Sequence, residues 1–177
     1  MINRIVNKVK ILKANRSYES KRNYLISKGC KIGKGTRLNC NINAFGTEPY
    51  LIEIGKNCLF AGEIHLITHD GGVKVLNSLG YFNGKNMDKL GRIKIGNNVY
   101  IGTGALIMPN VIIGDNCVIG ANAIVTKNIK SNSVAVGSPA KVIKTIEEYF
   151  NDCKDKVCDV ENLNSKEKMI YCEKNIL

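Results

Sequence analysis

Residues 95 to 136 read IGNNVYIGTGALIMPNVIIGDNCVIGANAIVTKNIKSNSVAV, and this stretch divides into sixes. From Ile95 the units are IGNNVY, IGTGAL, IMPNVI, IGDNCV, IGANAI, VTKNIK and SNSVAV. The first six units begin with Ile or Val, four carry Gly second, and their fifth place holds Val, Ala, Val, Cys, Ala and Ile. The same register occurs earlier in IGKGTR from Ile32, LNCNIN from Leu38 and IGKNCL from Ile54. Such a phase predicts a parallel β-solenoid in which an aliphatic side chain turns inward once per six residues. Three sixes close one triangular coil, and stacking joins the inward side chains into a core that no single unit could form. Gly in the second place is expected to take backbone angles forbidden to other residues, and the small fifth residue to fit the corner.

Seven cysteines, Cys30, Cys40, Cys58, Cys117, Cys153, Cys158 and Cys172, include no CxxC pair, which argues against a zinc ribbon. An odd count without a secretory signal suggests reduced thiols, and the expected compartment is the cytoplasm. Cys58 and Cys117 fall in the small fifth place, so they are expected to line the core.

With 26 Lys and Arg against 15 Asp and Glu the net charge is +11, which favours phosphate-bearing partners without choosing among them. No nucleic-acid motif accompanies the charge, so no nucleic-acid partner is expected; the competing reading of a non-catalytic coil holding an anionic partner rests on charge alone. In residues 1 to 15, Ile2, Ile5, Val6, Val9 and Leu12 recur at helical spacing between basic residues. This predicts a helix over part of residues 1 to 28, packed on its own domain rather than inserted in a membrane, since no apolar run is long enough to span one.

The period fails between Ile67 and Arg92, in ITHDGGVKVLNSLGYFNGKNMDKLGR, which predicts a loop thrown out of the coil over residues 70 to 92. His69 stands at its base. The other histidine, His65, is four residues earlier; on a strand that is about 13 Å, too far to share one metal ion unless the chain turns between them. No carboxylate or thiol stands nearby in a ligand spacing, and no metal is expected.

The pattern closed by VAVGSPAKVIK, Val134 to Lys144, resembles the hexapeptide-repeat acyltransferases, especially the galactoside, maltose and xenobiotic acetyltransferases and the sugar O-acetyltransferases of polysaccharide synthesis. The likeness runs roughly from Ile32 to Tyr149. It implies an all-β fold, a left-handed parallel β-helix with an excursion loop and short terminal helices; the handedness comes from the resemblance alone. A domain over residues 29 to 144 and a helical tail over 145 to 177 follow, with a capping box from Thr145 to Glu148 and a linker from Asn151 to Asn164. The resemblance also implies acetyl-CoA as donor, a sugar or glycan acceptor, and a homotrimer with active sites between subunits.

His69 matches the family's general base, a role suited to imidazole, which titrates near neutral pH. Asp70 could orient the His69 ring, bind an acceptor hydroxyl, or be a solvated acid. Asn41 matches a polar residue of the acceptor pocket, with a plain rung-ending Asn as the alternative. Donor contacts are implied at Tyr100, Thr103, Ala121, Thr126, Lys127, Lys141 and Lys144. Tyr100 stands where those enzymes often carry tryptophan, and Lys141 and Lys144 where arginine is common, so stacking and bidentate phosphate contacts would be weaker. N-acetylation of an amino sugar, for instance nucleotide-linked, is the competing enzyme reading.

Overall fold

The computed structural model describes residues 9 to 176. Their contacts divide into two compact units, one ending at Ile146 and one beginning at Glu147. In the first unit the strands are short and almost all parallel. They are β1 (Lys31–Ile32), β2 (Arg37–Leu38), β3 (Ile52–Ile54), β4 (Leu59–Phe60), β5 (His65–Leu66), β6 (Ile93–Ile95), β7 (Tyr100–Ile101), β8 (Leu106–Ile107), β9 (Ile112–Ile113), β10 (Val118–Ile119), β11 (Ile124–Val125), β12 (Ser133–Val136) and β13 (Lys141–Thr145).

Three sheets result: β1-β3-β6-β9, then β2-β4-β7-β10-β12-β13, then β5-β8-β11. From β3 to β11 the chain visits them in cyclic order, so each of these coils adds one rung to every sheet. The first residue of each six points inward: Leu38, Phe60, Ile101, Ile107, Ile119 and Val125 are fully buried. The fifth residue does the same, and Cys58 and Cys117 are 1% exposed. Burial pushes both thiols above their ordinary pKa, as a core-lining role requires.

The glycines work differently from the expectation. Second-place glycines do not carry positive φ; they lie where the next coil passes. A Cβ on Gly102 would meet the Ala121 amide nitrogen at 2.6 Å, and one on Gly33 the Gly55 carbonyl carbon at 2.5 Å. The left-handed residue is the fourth of the six: Asn57, Asn98, Asn116 and Asn122 all have φ 55° and Gly104 has φ 72°. Asn tolerates this region better than other side-chain-bearing residues. It also bonds along the column, Asn98 Nδ2 donating to Asn116 Oδ1 at 3.0 Å and Asn116 Nδ2 to Asn132 Oδ1 at 2.9 Å.

Both ends of the coil are closed. Helix α1 (Tyr18–Ser27) starts at Ser17, whose hydroxyl accepts from the Ser20 amide, and buries Leu25. Its Lys21 Nζ donates to the Leu38 carbonyl at 2.9 Å and Arg22 Nη2 to the Ile32 carbonyl at 3.1 Å. Those carbonyls belong to β2 and β1, the edge strands, which have no earlier coil to pair with. At the other end β13 folds back antiparallel onto β12.

Residues 9 to 14 are also helical, but the face that packs is not the one anticipated. Val9 and Leu12 are 43% and 70% exposed, while Ala14 is buried and Ile11 packs on the core. Ile2, Ile5 and Val6 lie outside the described residues.

The first coil departs from the period. LNCNIN keeps register, with Leu38 and Ile42 buried, but a 3-10 turn over Ile42–Phe45 and a second over Pro49–Leu51 replace its third strand. Phe45 packs against Phe60 with ring centroids 6.4 Å apart.

Helix α2 (Val73–Ser78) lies inside the excursion, which is therefore folded. Asn77 brackets Met87 through both its amide groups. Helix α3 (Ile146–Cys153) begins where β13 ends, so residues 151 to 153 are helical rather than linker. Within the second unit, α4 (Ser165–Asn175) is started by a capping box in which Asn164 and Glu167 satisfy each other's backbone amides. No described helix is long and apolar enough to cross a membrane.

Candidate active site

The chain leaves the coil at Thr68 to Asp70 and returns at Lys89 to Gly91, the two strands of the neck pairing antiparallel. His69 bridges Leu90, the Gly91 amide donates to the Thr68 carbonyl at 2.7 Å, and the Asp70 amide to the Lys89 carbonyl at 2.9 Å. His69 is thus fixed by its backbone at the corner between the third sheet and the first.

Its ring is fixed as well. His69 Nδ1 lies 2.9 Å from Glu48 Oε2, and the same oxygen accepts from the buried Thr68 hydroxyl at 2.7 Å. The other Glu48 oxygen accepts from the Thr47 hydroxyl. Burial works to raise the Glu48 pKa, but the hydrogen bonds from Thr47, Thr68 and His69, with the imidazole's charge, outweigh it and hold the carboxyl at about 2. An ionised carboxylate only accepts, so Nδ1 is the protonated nitrogen and Nε2 carries the lone pair. The Glu48 bond, then its charge, raises the His69 pKa above the ordinary imidazole value against the opposing effect of desolvation, with a further push from Asp88. The His69 side chain is 43% exposed and that of Glu48 16%, so a screened carboxylate backs an accessible imidazole.

Asp70 does not touch the ring. Its Oδ2 pairs with Lys89 Nζ at 3.1 Å and its Oδ1 accepts from the Gly72 amide at 3.0 Å, bonds that lower its pKa. Of the roles left open for it, orienting the imidazole belongs to Glu48. Neither Glu48 nor Thr47 stands out in the sequence; the available signal was a second, shorter loss of the six-residue phase at FGTEPY, Phe45 to Tyr50.

Asn41 caps the 3-10 turn, its Oδ1 accepting from the Asn43 amide at 2.9 Å, and it lines an open groove with Asn39, Asn43, Glu63 and His65. His65 points outward from β5. Among the described residues no group of three or more His, Cys, Asp or Glu could hold a metal ion.

The residues singled out for the donor occupy two corners of the coil and the second sheet. Thr126 and Lys127 follow β11 at the same corner as His69. Since β5 pairs with β8 and β8 with β11, they lie two coils from it, roughly 10 Å at ordinary strand spacing. Thr103 and Ala121 stack at the corner between the second and third sheets, where the Asn122 amide donates to the Thr103 carbonyl at 2.8 Å. Tyr100, 39% exposed, lies on the second sheet, as do Lys141 and Lys144 on β13. One subunit does not gather all seven into one pocket.

Residues 92 to 127 match the family of bacterial transferase hexapeptide repeats, described as six repeats. The chain belongs to the hexapeptide-repeat transferase family, and its named relatives make it an acyltransferase. It is 41% identical to Protein CapG of Staphylococcus aureus over 164 residues, 92% of this chain and 91% of that protein. It is 38% identical to the galactoside O-acetyltransferase of Escherichia coli K12 over 134 residues, 72% of this chain but 63% of that enzyme's length. Among solved structures, a maltose O-acetyltransferase from Clostridium difficile 630 superimposes with a TM-score of 0.55 at 28% identity, covering 78% of this chain and 83% of that one. A galactoside acetyltransferase in complex with coenzyme A gives 0.56 at 26% identity, covering 84% and 82%.

Proposed function

We propose that the protein transfers an acetyl group from acetyl-CoA to a hydroxyl of a sugar or glycan intermediate, with His69 as general base. The observation that carries this reading is the Glu48–His69 pair, a 2.9 Å contact that leaves Nε2 as the proton acceptor on a half-exposed ring. In the reaction the acceptor hydroxyl attacks the thioester carbonyl carbon while its proton passes to Nε2. The tetrahedral intermediate then collapses, the carbon–sulfur bond breaks, and the imidazolium returns the proton to the leaving thiolate. Glu48 holds the ring and stabilises the imidazolium between those steps without itself taking the proton.

The donor reading draws on relatives whose solved form contains coenzyme A. Thr126 and Lys127 share an edge with His69, a position from which a donor could present its thioester to the same subunit's base. Tyr100, Thr103, Ala121, Lys141 and Lys144 lie on other surfaces, which is what a donor groove completed by a neighbouring subunit would need. We therefore include a homotrimer of left-handed coils in the proposal, with Asn41 as an acceptor contact. The test is His69→Ala, assayed by thiol release from acetyl-CoA against a panel of sugars: transfer should fall by about 10²- to 10⁴-fold. Turnover equal to that of the unaltered protein would exclude His69 as the base.

A further inference from the structure

Beside the Glu48–His69 pair, on the outer face of the first sheet, lies a cavity of about 370 Å³ whose lining includes Lys31, Tyr50, Glu53, Arg92, Lys94 and Asn110. Two connections tie it to the pair. Tyr50 follows Glu48 by two residues through Pro49, and Arg92 follows by two residues Leu90, which bridges His69. Each connection spans about 7 Å of backbone at most. None of the lysines discussed for the donor lines this cavity.

Its charge is lopsided. Lys31, Glu53 and Lys94 are register partners on β1, β3 and β6, so Glu53 sits between the two lysines, 3.5 Å from Lys31 Nζ and 3.9 Å from Lys94 Nζ. Both lysine side chains are more than half exposed, and exposed pairs of this kind hold weakly enough to be exchanged for a better acceptor. Arg92 has no ion pair among the described residues, so three cations face one carboxylate. Tyr50, 59% exposed, adds an aromatic face to the same wall.

We propose that this cavity binds a phosphate or pyrophosphate group carried by the acceptor, so that the substrate is an anionic, phosphate-linked sugar rather than a free one. Arg92 offers a planar fork for two phosphate oxygens, and the lysines supply point charges that Glu53 only partly offsets. A sugar joined to that phosphate would extend toward the corner where His69 waits. This inference rests on the reading of His69 as the base acting on an acceptor, but its test does not need turnover.

Inorganic pyrophosphate and UDP would be titrated into protein already saturated with coenzyme A, following backbone amide shifts and heat of binding. Binding should saturate, with shifts at Tyr50, Arg92 and Lys94, and the double variant Arg92→Gln, Lys94→Gln should weaken it by about tenfold or more. All three positions are exposed, so the fold should persist, which circular dichroism would verify. His69→Ala should bind as tightly as the unaltered protein. If UDP binds more tightly than pyrophosphate and Tyr50→Ala removes the difference, the phosphate comes from a nucleotide sugar. If the two probes bind alike and Tyr50→Ala changes nothing, a lipid-linked pyrophosphate saccharide is the source. No saturation below about 10 mM, or binding untouched by the double variant, would overturn the inference. Acetyl transfer to neutral sugars could continue in that case, leaving the base assignment intact.

Discussion

Glu48 and His69 are separated by 21 residues and by most of a coil, yet Oε2 and Nδ1 stand 2.9 Å apart. The carboxylate comes from an interrupted rung and the imidazole from the neck of the excursion, so both departures from the repeat converge on one hydrogen bond.

That convergence gives Glu48 a measurable effect on the pH profile. In its proposed role His69 must be neutral to accept a proton, and Glu48 raises its pKa, so activity in the unaltered protein should rise through an acid limb above the ordinary imidazole value. Glu48→Gln should move this limb of kcat/KM to lower pH and also lower the plateau, by about tenfold or more, because the preferred tautomer is no longer imposed. A lowered plateau with an unmoved limb would mean that Glu48 supports the fold near His69 without tuning it.

Acid stability should report the same carboxylate. The folded Glu48 carboxyl titrates at about 2 against an ordinary 4.5, so its contribution is full above pH 4.5 and is lost as pH falls toward 2. His69 runs in the opposite sense, adding stability below its ordinary pKa and losing it as pH rises through the elevated folded one. Chemical denaturation at a series of pH values should show a steeper loss below pH 4.5 in the unaltered protein than in Glu48→Gln.

Repeat packing was legible because each coil imposes the same demands on its first and fifth residues, and the six units from Ile95 to Lys130 meet them without a gap. His69 was legible as the polar residue where that regularity stops. Glu48 was not, since its value depends on a partner 21 residues away and on a 3-10 turn that replaces a strand. Local pattern carries no record of such a meeting. The glycine roles were misplaced for a related reason: spacing reveals that a small residue is needed in second place, but only the neighbouring coil shows that the need is clearance. Lys21 and Arg22 were likewise invisible, because a helix that closes an edge has no signature distinguishing it from one that packs anywhere else.

Clearance can be tested at Gly102. An alanine there would bring its Cβ to 2.6 Å from the Ala121 amide nitrogen, which is backbone and cannot swing aside. Gly102→Ala should cost about 1–3 kcal/mol, read as a lower denaturation midpoint. Ala on exposed Gly71, whose Cβ would meet nothing within 4 Å, should leave that midpoint nearly unchanged.

Lys141→Glu reverses a charge on exposed β13, away from the Glu48–His69 pair. It should raise the Michaelis constant for acetyl-CoA by about tenfold with little change in kcat, as expected for weakened binding of donor phosphates. Steady-state kinetics with varied donor would check this, and an unchanged constant would remove Lys141 from the donor groove.

The two closures of the coil set its size. Nothing within a six-residue unit says how many units there should be, since each coil offers the next the same open hydrogen-bonding ledge. Lys21 and Arg22 fill that ledge at the first coil and β13 covers the second sheet at the last, so copy number is written at the ends. Whole coils could be gained or lost between these stoppers without redesigning either one, provided that the rung bearing Glu48 and the neck bearing His69 remain neighbours.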